Sequence, residues 1–292
     1  MSVKPRENRT AAGILMMLLA VVLFTCIDTS AKWLSLSGLP VIQIVFVRYA
    51  GHLVYSALIY APQEGLRVLR SNAPAKQFLR SLFLFSSTIC NFMALKFLPI
   101  TVTTSISFAQ PIVITLLAIP LLGERVGLRR IIAVCVGFLG VLVVVQPWGA
   151  EIHPAMGFSL AALCIASMYF IMTRMLAGIE SNATQQIWAS GLATLALAPF
   201  AAMDWVWPET TTQWIVLFAI GGFGGFGHIA ATTAHRWAYA SILAPMIYSQ
   251  IFLAAVAGIL VFSTWPTVWT LGGGLIIIGS GLYIWQRERR AQ

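Results

Sequence analysis

Apolar residues run along this chain in long tracts, separated by short segments that contain charged residues, proline or glycine. A helix needs roughly 20 apolar residues to cross a bilayer core of about 30 Å. Because the tracts do not alternate between apolar and polar residues, we do not expect a transmembrane β-barrel. The pattern predicts ten transmembrane helices, at approximately 12–34, 41–61, 78–98, 101–122, 129–147, 155–176, 184–203, 212–234, 240–262 and 267–285.

The composition agrees with an integral membrane protein. Hydrophobic residues make up 59% of the sequence and charged residues 9%, whereas a soluble domain usually has about 45–50% and about 25%. Ten spans with short links use nearly all of the 292 residues, which leaves no room for a soluble catalytic domain. The N-terminal apolar tract could be a signal peptide, but it continues through Asp28 and Lys32, so a retained first helix is favoured.

The basic residues determine the predicted orientation. Most of the 18 lysines and arginines lie in the N-terminal segment, the C-terminal segment and every second link, whereas Glu151, Asp204 and Glu209 lie in the other links. This distribution follows the positive-inside rule and predicts that both termini are cytoplasmic. It also accounts for the net charge of +9, so the expected partner is the lipid bilayer and not a nucleic acid.

The chain contains an internal repeat. A shift of 140 residues aligns ALKFLPITVTTSISFAQ (94–110) with AHRWAYASILAPMIYSQ (234–250), and a shift of about 142 aligns Gln43 with Gln185. Chance similarity among apolar helices is the alternative. We interpret the chain as two five-helix repeats, 1–150 and 151–292. Because five is an odd number the second repeat is inverted, and the two enclose a central cavity. The polar and aromatic pairs of the first alignment are Thr101 with Ser241, Phe108 with Tyr248, and Gln110 with Gln250.

The segment FAQPIVITLLAIPLLGER, at 108–125, closes the predicted fourth span with a Gly-Glu pair at 123–124. This segment and the five-plus-five arrangement resemble the EamA-type members of the drug/metabolite transporter superfamily. The second half departs from the family pattern, because Ser263 and Thr264 stand where the Gly-Glu pair is expected. Among these transporters, the chain resembles the YddG-type exporters of bacterial inner membranes. That resemblance implies secondary transport without a bound cofactor, and export of aromatic and other neutral amino acids.

Three charged residues lie inside the first two predicted spans, where a charge is costly and needs a partner or a function. Lys32 is one helical turn from Asp28, so the two share a face. Because adjacent spans run antiparallel, Arg48 lies at a depth similar to that of Asp28. We expect Asp28 to pair with Lys32, with Arg48 or with both, and we assign all three to structural or gating roles. Direct contact with the substrate is the alternative.

The predicted fourth and ninth spans carry polar stripes. Thr101, Thr104 and Ser105 share one face of a helix. Pro111 and Pro245 each remove a backbone donor and free a carbonyl four residues earlier, so both prolines are candidate gating positions. The alternative is that these polar groups serve packing. The substrate-binding candidates are Asn91, Thr101, Ser105, Phe108, Trp188, His228, Ser241 and Tyr248.

The sequence has no catalytic or nucleotide-binding motif. It lacks HExxH, paired aspartates within spans and a nucleophile elbow, and the stretch GGFGGFGHIAATTAH lacks the Lys-Ser/Thr of a phosphate-binding loop. The four cysteines lie in apolar tracts without a CxxC pair, so we expect free thiols and no metal site. We therefore predict no enzymatic activity, no catalytic residues and no cofactor.

The candidate residues narrow the substrate class. A phosphorylated solute would need several basic residues in the cavity, and Arg48 alone is a poor match. Hydroxyls, amides and aromatic rings suit a zwitterion with an apolar side chain. We predict a multi-pass secondary transporter of the bacterial inner membrane, a monomer or weak homodimer, which exports small metabolites, chiefly aromatic and other neutral amino acids, by alternating access. The alternatives are export of another metabolite or organic cation, and a passive channel.

Overall fold

The structure, a computed structural model, describes residues 9–122, 128–146, 153–176, 179–238, 243 and 246–290. Within these ranges all regular secondary structure is helical. A short 3₁₀ helix, Gly65–Leu69, follows the second helix. The α-helices are α1 (Thr10–Leu36), α2 (Val41–Glu64), α3 (Pro74–Phe97), α4 (Ile100–Ser107), α5 (Gln110–Leu122), α6 (Leu128–Val145), α7 (Met156–Met175), α8 (Asn182–Met203), α9 (Thr211–Trp237), α10 (Gln250–Phe262) and α11 (Val268–Arg290).

Six of the described helices, α1, α2, α3, α7, α8 and α9, are long and apolar enough to cross a membrane. The other predicted spans coincide with shorter apolar helices at Ile100–Ile114, Cys135–Val145, Gln250–Phe262 and Val268–Tyr283. The predicted all-helical membrane fold is therefore confirmed for the described residues. The full count of ten crossings and the side of each terminus stay predictions.

The fourth predicted span is not one continuous helix. Helix α4 ends at Ser107, a turn occupies Phe108 and Ala109, and α5 begins at Gln110. The break follows from the position of Pro111, which lies in the first turn of α5. There the missing N–H of proline costs no intrahelical hydrogen bond, whereas inside a continuous helix it would.

A second break occurs 140 residues later. A turn at Tyr248 and Ser249 precedes α10, which begins at Gln250. The aromatic residues of the two turns contact each other, since the rings of Phe108 and Tyr248 lie 5.2 Å apart and nearly perpendicular. The two breaks therefore meet inside the protein, at positions that the repeat alignment makes equivalent.

Most of the helix packing joins the segment 1–150 to the segment 151–292. Helix α1 packs on α9, α2 packs on α8 and α9, α3 packs on α7 and α8, and α6 packs on α11. Gly51 of α2 and Gly221 of α9 approach each other closely, because a Cβ atom built on either would lie 2.8 Å from the Cα of the other. Small residues allow helix backbones to touch in this way. The two segments are thus one interleaved bundle.

Candidate functional site

A cavity of about 250 Å³ lies in the middle of the bundle, where the first residues of α5 and α10 meet side chains from α1, α2, α3, α4, α7 and α9. Eleven of its 18 lining residues are polar or charged, although the surrounding helices are strongly apolar. The lining residues are Phe24, Ile27, Asp28, Arg48, Leu84, Ser87, Thr88, Asn91, Phe92, Thr103, Thr104, Ser107, Gln110, Ala162, Leu163, Ala166, His228 and Gln250.

Two opposite charges face this cavity. Asp28 of α1 accepts a hydrogen bond of 3.0 Å from the Nδ2 amide of Asn91. Arg48 of α2 lines the same cavity, and its Nη1 lies 3.5 Å from Thr88 Oγ1. The guanidinium carbon is 4.5 Å from the centroid of the Tyr49 ring, and Nε has no protein partner. The cavity therefore has one acidic and one basic group, each with unused hydrogen-bonding capacity.

His228 of α9 lies between two rings at the cavity wall. Phe24 meets it edge to face at 5.3 Å. On its other side, the imidazole of His52 is stacked at 5.2 Å with an angle of 6° between the planes. His52 itself is 1% exposed and is not part of the lining. The stack therefore separates the cavity from the interior of the α2–α9 interface.

Both helix breaks open onto the cavity. Gln110 begins α5 and Gln250 begins α10, and both line the wall. The N-terminus of a helix has unsatisfied N–H groups and a partial positive charge. Thr103 and Ser107 of α4 line the cavity beside them. Such an arrangement, with hydroxyls, amides and two helix N-termini, suits a carboxylate or another polar acceptor group.

One end of the bundle is held together by what we call the Lys32 closure, formed by Lys32, Gln43 and Gln213 with the carbonyl groups they bind. Lys32 Nζ donates to the carbonyl oxygens of Leu95 at 2.9 Å and Leu98 at 2.6 Å. It also lies 5.3 Å from the ring centroid of Phe262, at the end of α10.

The side-chain amides of Gln43 and Gln213 in the Lys32 closure also bind backbone carbonyl groups. Gln43 Nε2 donates to the Val206 carbonyl at 2.8 Å, and its Oε1 accepts from the Val206 N–H at 3.0 Å. Gln213 Nε2 donates to the Ser37 carbonyl at 3.2 Å. The bonds of Gln43 join α2 to the link between α8 and α9, and the bond of Gln213 joins the first turn of α9 to the residue after α1.

The opposite end is held by what we call the Arg80 closure, formed by Arg80, Gln77 and Glu180 with their partners. Arg80 of α3 donates from Nε to Thr173 Oγ1 at 2.8 Å, from Nη1 to the Gln185 carbonyl at 3.2 Å and from Nη2 to the Tyr169 hydroxyl at 3.0 Å. These contacts join α3 to α7 and α8.

Glu180 binds the segment before α3. Its carboxylate accepts hydrogen bonds from the Ser71 hydroxyl and, at 2.9 Å, from the Ala73 N–H. Glu180 Oε2 and Gln77 Oε1 are buried without a protein partner. The Arg80 closure is therefore less completely paired than its contacts suggest.

The structure brings four of the residues chosen from the sequence to the cavity wall: Asp28, Arg48, Asn91 and His228. Lys32 does not contact Asp28, because its ammonium group binds the two carbonyls at the end of α3. Of the expected partners of Asp28, Arg48 lies on the same cavity wall, and the described hydrogen bond to Asp28 comes from Asn91.

Other candidates lie away from the lining. Thr101 and Ser105 are buried inside α4, and Phe108 and Tyr248 pack on each other in the two turns. Trp188 lies at the end of the Arg80 closure, where its Nε1 donates to the Leu69 carbonyl at 3.1 Å. Pro111 lies in the first turn of α5, and the side chain of this residue lies outside the described part of the structure; Ser241 and Pro245 lie wholly outside the described residues.

The sequence reasoning missed several lining residues. The α4 face that meets the cavity carries Thr103, Thr104 and Ser107, whereas the predicted face carried Thr101, Thr104 and Ser105, so Thr104 is common to both faces. A polar stripe on an amphipathic helix does not reveal which of two polar faces meets the cavity. Gln110 and Gln250 had a signal, because the repeat alignment pairs them.

Comparison with known proteins gives one family. The model of the EamA-like transporter family matches residues 11–146 and again residues 154–285. A solved crystal structure shares the fold over 97% of this chain and 99% of its own, with a TM-score of 0.65 at 17% sequence identity.

Named relatives cover nearly the whole chain. The S-adenosylmethionine uptake transporter of Rickettsia bellii is 27% identical over 96% of this chain and 95% of its own length. The riboflavin transporter of Vibrio cholerae is 27% identical over 97% and 96%. The pseudopaline exporter of Pseudomonas aeruginosa is 27% identical over 91% and 93%. The chain is a multi-pass protein of the bacterial inner membrane and belongs to the EamA-like transporter family.

Proposed function

We propose that this protein is a secondary transporter of small zwitterionic metabolites, chiefly aromatic and other neutral amino acids, which works by alternating access. The observation that carries the proposal is the presence of Asp28 and Arg48 in the wall of one buried cavity. A lone charge inside a bilayer is costly and marks a functional site. Two opposite charges, each partly unpaired, offer binding sites for the ammonium and carboxylate groups of an amino acid.

The rest of the wall supports this substrate class. Arg48 lines the cavity, and a guanidinium binds a carboxylate in a forked geometry. Phe24 and Phe92 offer apolar and aromatic surface for the side chain. The volume of about 250 Å³ lies just below the roughly 300–1,000 Å³ of pockets for drug-sized ligands, which fits a solute the size of an amino acid.

A second candidate is a larger amino-acid derivative. S-adenosylmethionine combines an α-amino-acid group with a sulfonium cation, and transporters named for its uptake are 26–27% identical to this chain over 96% of its length. The same pair of charged residues would bind its amino-acid group. The cavity would have to widen to accept the adenosine part, so we place this solute second.

For the architecture, we propose ten spans in two inverted five-helix repeats, 1–150 and 151–292, with both termini cytoplasmic. The basic residues follow the positive-inside rule, the family model matches the chain twice, and the two helix breaks occupy equivalent positions. Broken helices that meet near mid-membrane are typical of transporters with inverted repeats. We propose a monomer or weak homodimer that exports its substrate, the direction that the resemblance to amino-acid exporters implies.

A counterflow assay tests the function. Purified protein in liposomes preloaded with unlabelled phenylalanine should accumulate labelled phenylalanine, and the same panel should include methionine, S-adenosylmethionine and riboflavin. Arg48→Gln should reduce the rate at least 30-fold, because losing one partner of a buried charged hydrogen bond costs about 2–5 kcal/mol. Lys96→Gln removes an exposed cation outside the cavity and should leave the rate nearly unchanged.

The assay also separates the alternatives. Exchange of riboflavin or an organic cation without exchange of any amino acid would contradict the proposed substrate class. A conductance that needs no countersubstrate would indicate a channel. Accumulation of labelled phenylalanine in inside-out vesicles, driven only by an imposed gradient, would decide the direction.

A further inference from the structure

We propose that the solute passes between the cavity and the cytoplasm along a route on one face of α2, lined by His52, Ser56 and Gln186 and closed in this structure. This inference rests on the proposed alternating-access transport. It assigns a role to residues that lie outside the cavity wall.

The cavity meets α2 at Arg48, whereas His52 and Ser56 of the same helix do not line it. Ser56 is eight residues beyond Arg48, toward the end of α2 at Glu64. At a rise of 1.5 Å per residue this separation is about 12 Å. A solute that leaves the cavity along α2 toward that end must therefore pass about two turns of packed helix.

That stretch contains unpaired polar atoms in an unusual arrangement. Arg48, His52 and Ser56 follow each other at intervals of four residues and therefore form one stripe on α2. All three are buried, with exposed fractions of 6%, 1% and 0%. Arg48 Nε, both ring nitrogens of His52 and Ser56 Oγ have no hydrogen-bond partner. Gln186 of α8 approaches His52, but not with the geometry of a hydrogen bond.

Burial of these atoms is costly. The large majority of buried side-chain polar atoms in proteins have a partner, and each one left unpaired costs about 1–3 kcal/mol. An apolar stripe would pack α2 against α8 and α9 without that cost. The polar stripe is therefore suited to a second state, in which water and solute reach it.

The contacts between α2 and α9 along the route can separate without breaking a described hydrogen bond, whereas the bonds of the Arg80 closure must also open at its end. His52 stacks on His228, Gly51 touches Gly221, and Tyr55 packs on Phe226 with ring centroids 5.1 Å apart. Ring stacks and backbone contacts of this kind separate when α2 and α9 move apart. Arg48, at the cavity, and Arg80, at the far end, would offer successive sites for a carboxylate.

Cysteine accessibility tests the route without any substrate. In a chain whose four cysteines (Cys26, Cys90, Cys135 and Cys164) are replaced by alanine, Ser56→Cys should react with a membrane-impermeant cationic methanethiosulfonate from the cytoplasmic face. The rate should be roughly 10- to 1,000-fold below that of Leu66→Cys, which is 82% exposed, because a minor state is typically 0.1–10% populated. Ser280→Cys is a control, because Ser280 is also buried inside a helix, about three turns from the C-terminal end of α11.

Three results would overturn the route. Ser56→Cys could stay as inert as Ser280→Cys while Leu66→Cys reacts, it could react only from the outer face, or Gln186→Cys could stay inert. Gln186→Cys provides the readout if Ser56→Cys fails to reach the membrane. Labelling needs no solute, so the two proposals can fail separately. If the proposed route is wrong, labelling fails but counterflow persists. If the proposed substrate is wrong, counterflow fails but labelling persists.

Discussion

The Lys32 closure and the Arg80 closure both join the segment 1–150 to the segment 151–292, but they differ in how completely their polar atoms are paired. Lys32, Gln43 and Gln213 all bind carbonyl groups. The unpaired buried polar atoms described at that end are Trp205 Nε1 and, in the first turn of α7, Ser159 Oγ. At the other end Gln77 Oε1 and Glu180 Oε2 are unpaired, and the atoms of the α2 stripe are unpaired above them.

This difference indicates which side of the transporter is held more firmly. A buried polar atom without a partner costs about 1–3 kcal/mol, so the closed form of the Arg80 side pays a larger penalty than the closed form of the Lys32 side. We therefore expect the described conformation to open more readily toward the Arg80 closure, which is the cytoplasmic side in the proposed topology. Each variant below weakens or tests one side of this comparison.

The largest effect is expected for Lys32→Met. It removes two hydrogen bonds from a charged donor, each worth about 1.5–3 kcal/mol, and leaves two carbonyls unpaired. A cysteine placed at Ser30, which is buried near Lys32 in α1, should then react with the impermeant reagent from the outer face about 100-fold faster. Lys96→Met is the control and should leave the labelling rate of the cysteine at Ser30 unchanged. An unchanged rate at Ser30 in folded Lys32→Met would show that this lysine does not hold the outer side closed.

The second largest effect is expected for Gly221→Ala. The new Cβ would lie 2.8 Å from the Cα of Gly51, and overpacking of this kind costs roughly 1–3 kcal/mol. We expect a lower midpoint of thermal unfolding and slower counterflow, because the α2–α9 crossing connects the two closures. Gly222→Ala is the matched control, since its Cβ would meet Tyr55 at an ordinary 3.6 Å. Equal midpoints for the two variants would contradict the close packing.

A smaller effect is expected for Gln43→Leu. The variant loses both hydrogen bonds to Val206, each worth about 0.5–1.5 kcal/mol, and should raise outer labelling at Ser30 about tenfold. Gln185→Leu changes the aligned glutamine at the other end, where the described hydrogen bonds use the backbone carbonyl of Gln185 and not its side chain. Its effect on labelling at Ser56→Cys should stay below about threefold. A larger effect of Gln185→Leu than of Gln43→Leu on cysteine labelling would contradict the expectation that the Lys32 closure is held more firmly than the Arg80 closure.

The smallest effect is expected for Glu180→Gln. The amide keeps the oxygen that accepts from Ser71 and Ala73, while the unpaired Oε2 is replaced. Labelling at Ser56→Cys should change by less than about threefold, whereas Glu180→Ala removes both bonds and should raise it about tenfold. A strong effect of Glu180→Gln would mean that the negative charge of Glu180 stabilises the Arg80 closure.

Particular residues show how much of the structure could be predicted from the sequence. The helices follow the predicted spans closely, because each apolar tract is long enough to be recognised from its hydropathy. The break at Phe108 and Ala109 escaped the prediction even though Pro111 was noted, since a proline can either kink a span or begin a new helix. Asp28 and Arg48 were found because charges within apolar tracts are rare. His52 and Ser56 were missed, because a histidine or serine in a span usually only packs.

The sequence by itself determined that this chain lies in a membrane, which segments are helical and which positions carry costly polar groups. Those properties depend on the composition of each tract, and hydropathy is additive along the chain. Only the tertiary structure decided that Lys32 binds carbonyls instead of Asp28, that α4 turns Thr103 and Ser107 toward the cavity, and that His52 stacks on His228. Side-chain partners depend on the rotation and depth of neighbouring helices, which the order of residues in one tract does not fix.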